Sequence, residues 1–201
     1  MHFSAVHPED IKASCFYDRH PKGRREMRME TIEITGRAGS ADESLVRGKY
    51  ISLTKRLIEQ GRTITTMESC TSGQIASLIT DTEGSSAVLK GAFVTYSDEA
   101  KILAGVPKEI IDTYGVYSAE TAAAMAEACR RTYRADLGIG VTGSFGNADP
   151  LHADSVPGEV FFAIAESGGT KSYHCRVPAQ ASRFQYKLYM ADVLADQLLG
   201  Q

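Results

Sequence analysis

No apolar run in this 201-residue chain approaches the roughly 20 residues that a membrane-spanning helix requires. Its first residues, MHFSAVHPEDIK, have neither the basic start nor the apolar core of a secretory leader. Cysteine is sparse: Cys15, Cys70, Cys129 and Cys175 stand far apart, with no CxxC pair and no regular framework. That argues against a disulfide scaffold and against zinc ligation, and fits free thiols in a reducing compartment. Nor is there a surplus of charge. With 22 Lys and Arg against 25 Asp and Glu, the net charge is −3, which offers no global attraction to nucleic acid or to an acidic membrane. The expectation is a soluble, cytoplasmic protein that needs neither nucleic acid nor membrane as a partner.

What is present is a core. Hydrophobic residues make up 43% of the chain, enough for one ordinary domain with an appendage. Residues 1–43 mix charge with Gly, Pro and Ser without a sustained apolar period and read as a partly disordered N-terminal arm. Within it, Thr31-Ile-Glu-Ile-Thr35 has the alternation of an edge strand. From residue 44 to 201 the pattern is regular. A helix carrying Tyr50, Leu53, Leu57 and Ile58 stops at Gly61, and a strand covers 63–67. A helix with Ile75, Ala76, Leu78 and Ile79 precedes a turn at 84–86 and a strand-like run over 87–96. Ser97 and Ser118 read as helix caps and Val106-Pro107 as a helix start with proline at its first position. Ala122, Met125, Ala126 and Cys129 share a buried helical face. Leu137, Ile139 and Val141 alternate as a strand, 159–166 and 170–177 form a hairpin around Ser167-Gly-Gly, and Phe184, Leu188, Ala191, Leu194 and Leu198 line a last helix. The predicted fold is α/β: a three-layer α/β/α sandwich with a mixed central sheet.

Three loops carry chemistry, and each follows a predicted strand, so parallel strands would gather them at one sheet edge. Glu68-Ser-Cys-Thr-Ser-Gly73 reads either as helix capping, with Thr71 and Gln74 at capping-box spacing, or as a turn exposing Ser69 as a nucleophile beside backbone N–H groups. Cys70 could compete for that role, though nothing nearby lowers its pKa. Thr95-Tyr-Ser-Asp-Glu-Ala-Lys101 reads as a Ser97 cap with an exposed lysine, or as a place where Tyr96 and Lys101 manage a serine proton. Val141-Thr-Gly-Ser-Phe-Gly-Asn-Ala-Asp-Pro150 has glycines for a tight turn or for close approach of backbone to a ligand. His152 and Asp154 lack a third partner for a metal, so a polar surface loop is the expectation there.

The segments Glu68-Ser-Cys-Thr-Ser-Gly73, Val94-Thr-Tyr-Ser-Asp-Glu-Ala-Lys101, Gly115-Val-Tyr-Ser-Ala-Glu-Thr121 and Gly140-Val-Thr-Gly143, in this order and spacing, resemble the CinA C-terminal-domain family, the nicotinamide-nucleotide amidases. The resemblance runs from about Leu45 to the C-terminus. It implies metal-free and cofactor-free hydrolysis of nicotinamide mononucleotide to nicotinic acid mononucleotide and ammonia, in pyridine-nucleotide salvage, by a homo-oligomer. It further implies Ser69 as nucleophile and Tyr96 and Lys101 as the groups that activate it and relay its proton, the first acceptor being open. An oxyanion would lie beside the N–H groups of Thr71, Ser72 and Gly73. Thr142 and Gly143 match a ligand-contacting turn, and Arg183 matches a basic position suited to a nucleotide phosphate.

The chain also departs from the family pattern. Ser72 stands for a usual glycine, Lys187 for a frequent second arginine, and Asn147-Ala-Asp-Pro150 with a longer continuation to Pro157-Gly158 replaces a Gly-Pro-Gly-Gly type loop. Asp149 and Asp154 would repel a phosphate if they face the pocket. Two alternatives follow: a CinA-like nucleotide-binding or regulatory protein with little chemistry, and an amidase of a different small amide.

Overall fold

Strands buried along their whole length read as continuous apolar runs only where helices cover both faces of a sheet, and Ile64–Glu68 and Leu137–Gly143 are buried at every residue. In the computed structural model, which describes residues 31–35, 39–153 and 155–200, these are β2 and β4 of a six-stranded sheet. The others are β1 (Thr31–Thr35), β3 (Leu89–Val94), β5 (Glu159–Glu166) and β6 (Gly169–Arg176), in the order β1-β6-β5-β4-β2-β3. The arm as far as residue 30, with Cys15, lies outside the described residues, as does Asp154.

Strands β3, β2 and β4 are mutually parallel, β5 runs antiparallel to both neighbours, and β1 lies parallel to β6 with Thr31 opposite Ser172. The sheet is therefore mixed, and the 31–35 run is its edge strand as its alternation predicts. One face is covered by α1 (Glu43–Gln60), α2 (Gln74–Thr80) and α6 (Arg183–Leu199). The other carries α5 (Ala119–Tyr133) and the two short helices α3 (Asp98–Leu103) and α4 (Lys108–Tyr114). Among the described residues no helix is long and apolar enough to cross a membrane.

The helix ends follow their sequence signals. Asp42 caps α1 through Ser44 N (2.8 Å) and Leu45 N (3.1 Å), and Gly61 closes it in the left-handed region at φ 62°. Ser97, Ser118 and Ser182 each accept an N–H at the start of α3, α5 and α6. Pro107 sits at the cap of α4, one position earlier than expected. The carbonyls of Leu198 and Leu199 at the end of α6 accept from the Arg56 guanidinium. In the first turn of α6, Phe184 is 44% exposed rather than buried, because Tyr186 takes the core side by stacking on Phe145 at 5.1 Å.

Helix α5 lies unusually close to the sheet. Its sheet-facing side is alanine, and β4 turns Gly138 and Gly140 toward it; a Cβ at 140 would stand 2.1 Å from the Ala122 carbonyl oxygen and 2.6 Å from the Ala126 amide nitrogen. These are backbone atoms that cannot swing away. Gly140→Ala should therefore cost about 2 kcal/mol, the range of core overpacking, in urea denaturation.

Candidate active site

Because β2, β3 and β4 are parallel, the segments that follow them start from the same sheet edge. The pairing continues one step past the strands: Ser69 N–H donates to Val141 O (3.0 Å), and Glu68 O accepts from Thr95 N–H (2.8 Å). Ser69 is thereby rooted between the other two loops, and the three candidate segments do converge.

The turn after Ser69 is built on Glu68. Its fully buried carboxylate accepts from Ala76 N (3.0 Å), Ile75 N (3.2 Å) and Thr66 Oγ1 (3.0 Å), so it fills the N-terminus of α2, where its charge also meets the positive end of the helix dipole. The N-terminus of α2 is thus occupied by the chain's own carboxylate. Capping by Thr71 does not occur; the cap residue is Gly73 at φ 86°, and the buried Thr71 hydroxyl has no hydrogen-bond partner among the described residues. Ser72 takes φ 51°, where a glycine is more comfortable, and gives its N–H to Ser69 O at 3.0 Å. Of the three amides expected to face an oxyanion, those of Thr71 and Gly73 are not engaged by any described residue.

Lys101 is the decisive side chain. Ser97 caps α3 as expected, but the lysine is not exposed: it is 2% accessible, with Nζ 3.3 Å from Ser69 Oγ and 3.1 Å from Thr95 O. No described carboxylate lies within ion-pair distance of it. Burial lowers its pKa from the usual lysine value and outweighs the opposing pull of Asp98 and Asp149. A desolvated lysine amine is thus placed on a serine hydroxyl. The neighbouring Cys70 thiol is pushed up to about 12 by burial and by the charge of Glu68, so it stays protonated and inert.

Tyr96 and Arg183 form a second pair. Tyr96 is 61% exposed, and its hydroxyl accepts from the Arg183 guanidinium at 3.0 Å rather than meeting Ser69. Arg183 also lies over the Phe145 ring, 5.7 Å from its centre, so the guanidinium is held at the rim between two loops and the start of α6. The structure gives Thr142 and Gly143 internal partners. Thr142 Oγ1 donates to Val116 O at 2.9 Å, and a Cβ at Gly143 would meet Glu159 O at 2.6 Å.

Around His152, where a polar surface loop is expected, the structure holds a network. Asp149 accepts from Tyr117 OH (2.6 Å) and Leu151 N (3.0 Å) and lies 2.8 Å from His152 Nδ1, while His152 Nε2 is 3.1 Å from Asp98 on α3. The Tyr117 bond, with Leu151 N and His152 behind it, holds the Asp149 carboxyl down at about 2. Four site residues, Glu68, Asp98, Tyr117 and Phe145, lie inside the quoted motifs without having been assigned a role. Adjacency to Ser69 is the one signal that singles out Glu68. Two depressions, of 560 and 490 Å³, flank α1 and touch none of the three loops.

A sheet of this order with a buried lysine on a serine at the ends of its parallel strands defines a class of α/β domain. The family model for the CinA C-terminal domain matches residues 50–194, and the chain belongs to that family. A CinA-like protein of Shewanella pealeana is 34% identical over 152 residues, 72% of this chain and 35% of that protein. The competence/damage inducible protein CihA from Agrobacterium tumefaciens superposes with a TM-score of 0.71 at 27% identity, over 82% of this chain and 98% of that one. A competence-damaged protein (CinA) superfamily member from Escherichia coli superposes with a TM-score of 0.67 at 26% identity, over 78% and 93% of the two chains. The chain spans about a third of the length of the curated relatives it matches.

Proposed function

We propose that this domain hydrolyses the carboxamide of nicotinamide mononucleotide, giving nicotinic acid mononucleotide and ammonia through an acyl-enzyme on Ser69. The observation that carries this reading is the desolvated Lys101 with its Nζ 3.3 Å from Ser69 Oγ. Lys101 in its neutral form takes the Ser69 proton as Oγ attacks the amide carbon. The Thr71 and Gly73 amides receive the oxyanion. Collapse of the tetrahedral intermediate breaks the C–N bond, and the Lys101 ammonium returns the proton to the departing nitrogen. A water then gives its proton to Lys101 and attacks the ester, and as the acyl–Oγ bond breaks the Lys101 ammonium returns that proton to Ser69 Oγ, freeing the acid and restoring the starting pair.

The distances favour Lys101 as the first proton acceptor. Tyr96, held on Arg183 and away from Ser69, belongs to the substrate side, and Arg183 is assigned to the phosphate. Asp149, already holding Tyr117 and His152, directs its charge into the loop rather than toward a phosphate at the rim.

Ammonia release from nicotinamide mononucleotide, nicotinamide riboside and nicotinamide tests this reading. Turnover confined to the mononucleotide supports it, and turnover of another small amide in preference would overturn it. Arg183→Ala should raise KM for the mononucleotide by about 10- to 100-fold, the loss of a charge-assisted contact of 1.5–3 kcal/mol, and leave any riboside turnover unchanged.

A further inference from the structure

His152 is held by carboxylates on both sides. Its Nδ1 lies 2.8 Å from Asp149 Oδ2 and its Nε2 lies 3.1 Å from Asp98 Oδ2. A neutral imidazole has one N–H, so in that form one of the two contacts would set a ring lone pair against a carboxylate oxygen; only the imidazolium donates to both. The ring also meets Tyr117 edge-on at 5.5 Å between centres, and the Tyr117 hydroxyl is bonded to Asp149. The groups facing His152 are thus Asp98 from α3, Asp149 from its own loop and Tyr117 from the segment before α5. The other oxygen of Asp98, Oδ1, is buried without a hydrogen-bond partner among the described residues, and among them His152 is the group within ion-pair distance of that carboxylate.

Asp98 stands three residues before Lys101, one turn of α3 away, and both Asp98 and Asp149 act on the lysine by favouring its charged form. We propose that His152 is a positioning residue for Lys101: clamped as an imidazolium between Asp98 and Asp149, it offsets two carboxylates that would otherwise hold the lysine as an unreactive ammonium. The inference rests on Lys101 acting as the base of the proposed reaction, and it gives the atypical 144–158 loop a task in tuning that base. The two carboxylates also outweigh burial and raise the pKa of His152 itself. The clamp is therefore complete below the ordinary histidine value and fails as pH rises through the raised one. Lys101, in contrast, becomes active as pH rises through its own lowered value. The clamp is thus lost at the alkaline end and the free base at the acid end, which gives a bell-shaped rate profile.

The test is a nuclear magnetic resonance titration of the Lys101 εCH₂ signal, assigned by its absence in Lys101→Gln, in wild type and in His152→Gln. The glutamine keeps a polar group in place and removes the charge. The Lys101 pKa should rise by on the order of one pH unit in His152→Gln, the lower end of what a nearby charge does. It should return toward wild type in Asp98→Asn/His152→Gln. The acid limb of the kcat/KM profile should move upward with it, so that turnover on that limb falls about tenfold and is regained about one unit higher. A merely structural role for His152 would lower turnover at every pH. The titration needs no substrate: failure to turn over nicotinamide mononucleotide would count against the amidase reading alone, whereas an unchanged or lowered Lys101 pKa in folded His152→Gln would overturn this one. If His152→Gln does not fold, His152→Asn removes the same charge, and there a Lys101 pKa that fails to rise is the contradicting result.

Discussion

Lys101→Met is expected to cut amide turnover about 10³-fold while making the protein more stable. The lower activity follows because no other described base lies within hydrogen-bond reach of Ser69 Oγ, and general-base assistance contributes on the order of 10² to 10⁴. The gain in stability follows because Lys101 is 2% exposed with no described carboxylate partner, so the fold carries the cost of desolvating an ammonium for the sake of the site. Methionine fills the same space without that cost, and a gain of about 1–2 kcal/mol is expected, as when other buried charges are replaced by apolar side chains. The pH dependence separates this from ordinary repacking. Between the lowered folded pKa and the unfolded value near 10.4, the unfolded chain binds more protons than the folded one, so wild-type stability rises with pH across that window. In Lys101→Met that rise should disappear. Urea denaturation from pH 6 to 10 measures both effects, and a methionine variant that is less stable or still active would contradict the assignment.

Glu68→Ala carries the second large expectation. Removing the carboxylate leaves Ile75 N, Ala76 N and Thr66 Oγ1 without their acceptor in a fully buried place, at 3.2, 3.0 and 3.0 Å from atoms that no longer exist. A lost helix cap of about 1 kcal/mol together with unsatisfied buried donors adds to roughly 3 kcal/mol. Because the same carboxylate fixes the turn that follows Ser69, turnover should fall as well. Glu68→Gln, which retains one acceptor oxygen, should lie between. Amide hydrogen exchange at Ile75 and Ala76 localises the damage to α2. A Glu68→Ala protein within about 1 kcal/mol of wild type would show that the cap is not what holds the turn.

The layout of this site was legible in the sequence to the extent that local signals decide it. Alternation and caps placed the strands and helices to within a few residues, because Gly61, Ser97, Ser118 and the 167–169 turn act through their own neighbours. The convergence of the loops followed from each standing after a strand. What stayed hidden was set by long-range geometry. Nothing local says that a lysine in the last turn of a six-residue helix points inward. The pairing of His152 with Asp98 spans 54 residues and joins a loop to a helix that the sequence treats separately. Glu68 reads as the first residue of a loop, whereas it ends β2, and only the fold of the following turn brings the α2 amides back over it. For Tyr96, nearness to Lys101 in sequence suggests the serine, whereas the hydroxyl meets Arg183 from the start of α6, a partner 87 residues away.

The central claim is that Ser69, armed by Lys101, performs amide hydrolysis. Its most direct measurement is ammonia release from nicotinamide mononucleotide by wild type, Ser69→Ala and Cys70→Ala, each shown to be folded by the same denaturation midpoint. The expected result is turnover by wild type and Cys70→Ala and none above background by Ser69→Ala. A silent wild type at saturating substrate, or a Ser69→Ala protein that still releases ammonia, would contradict it.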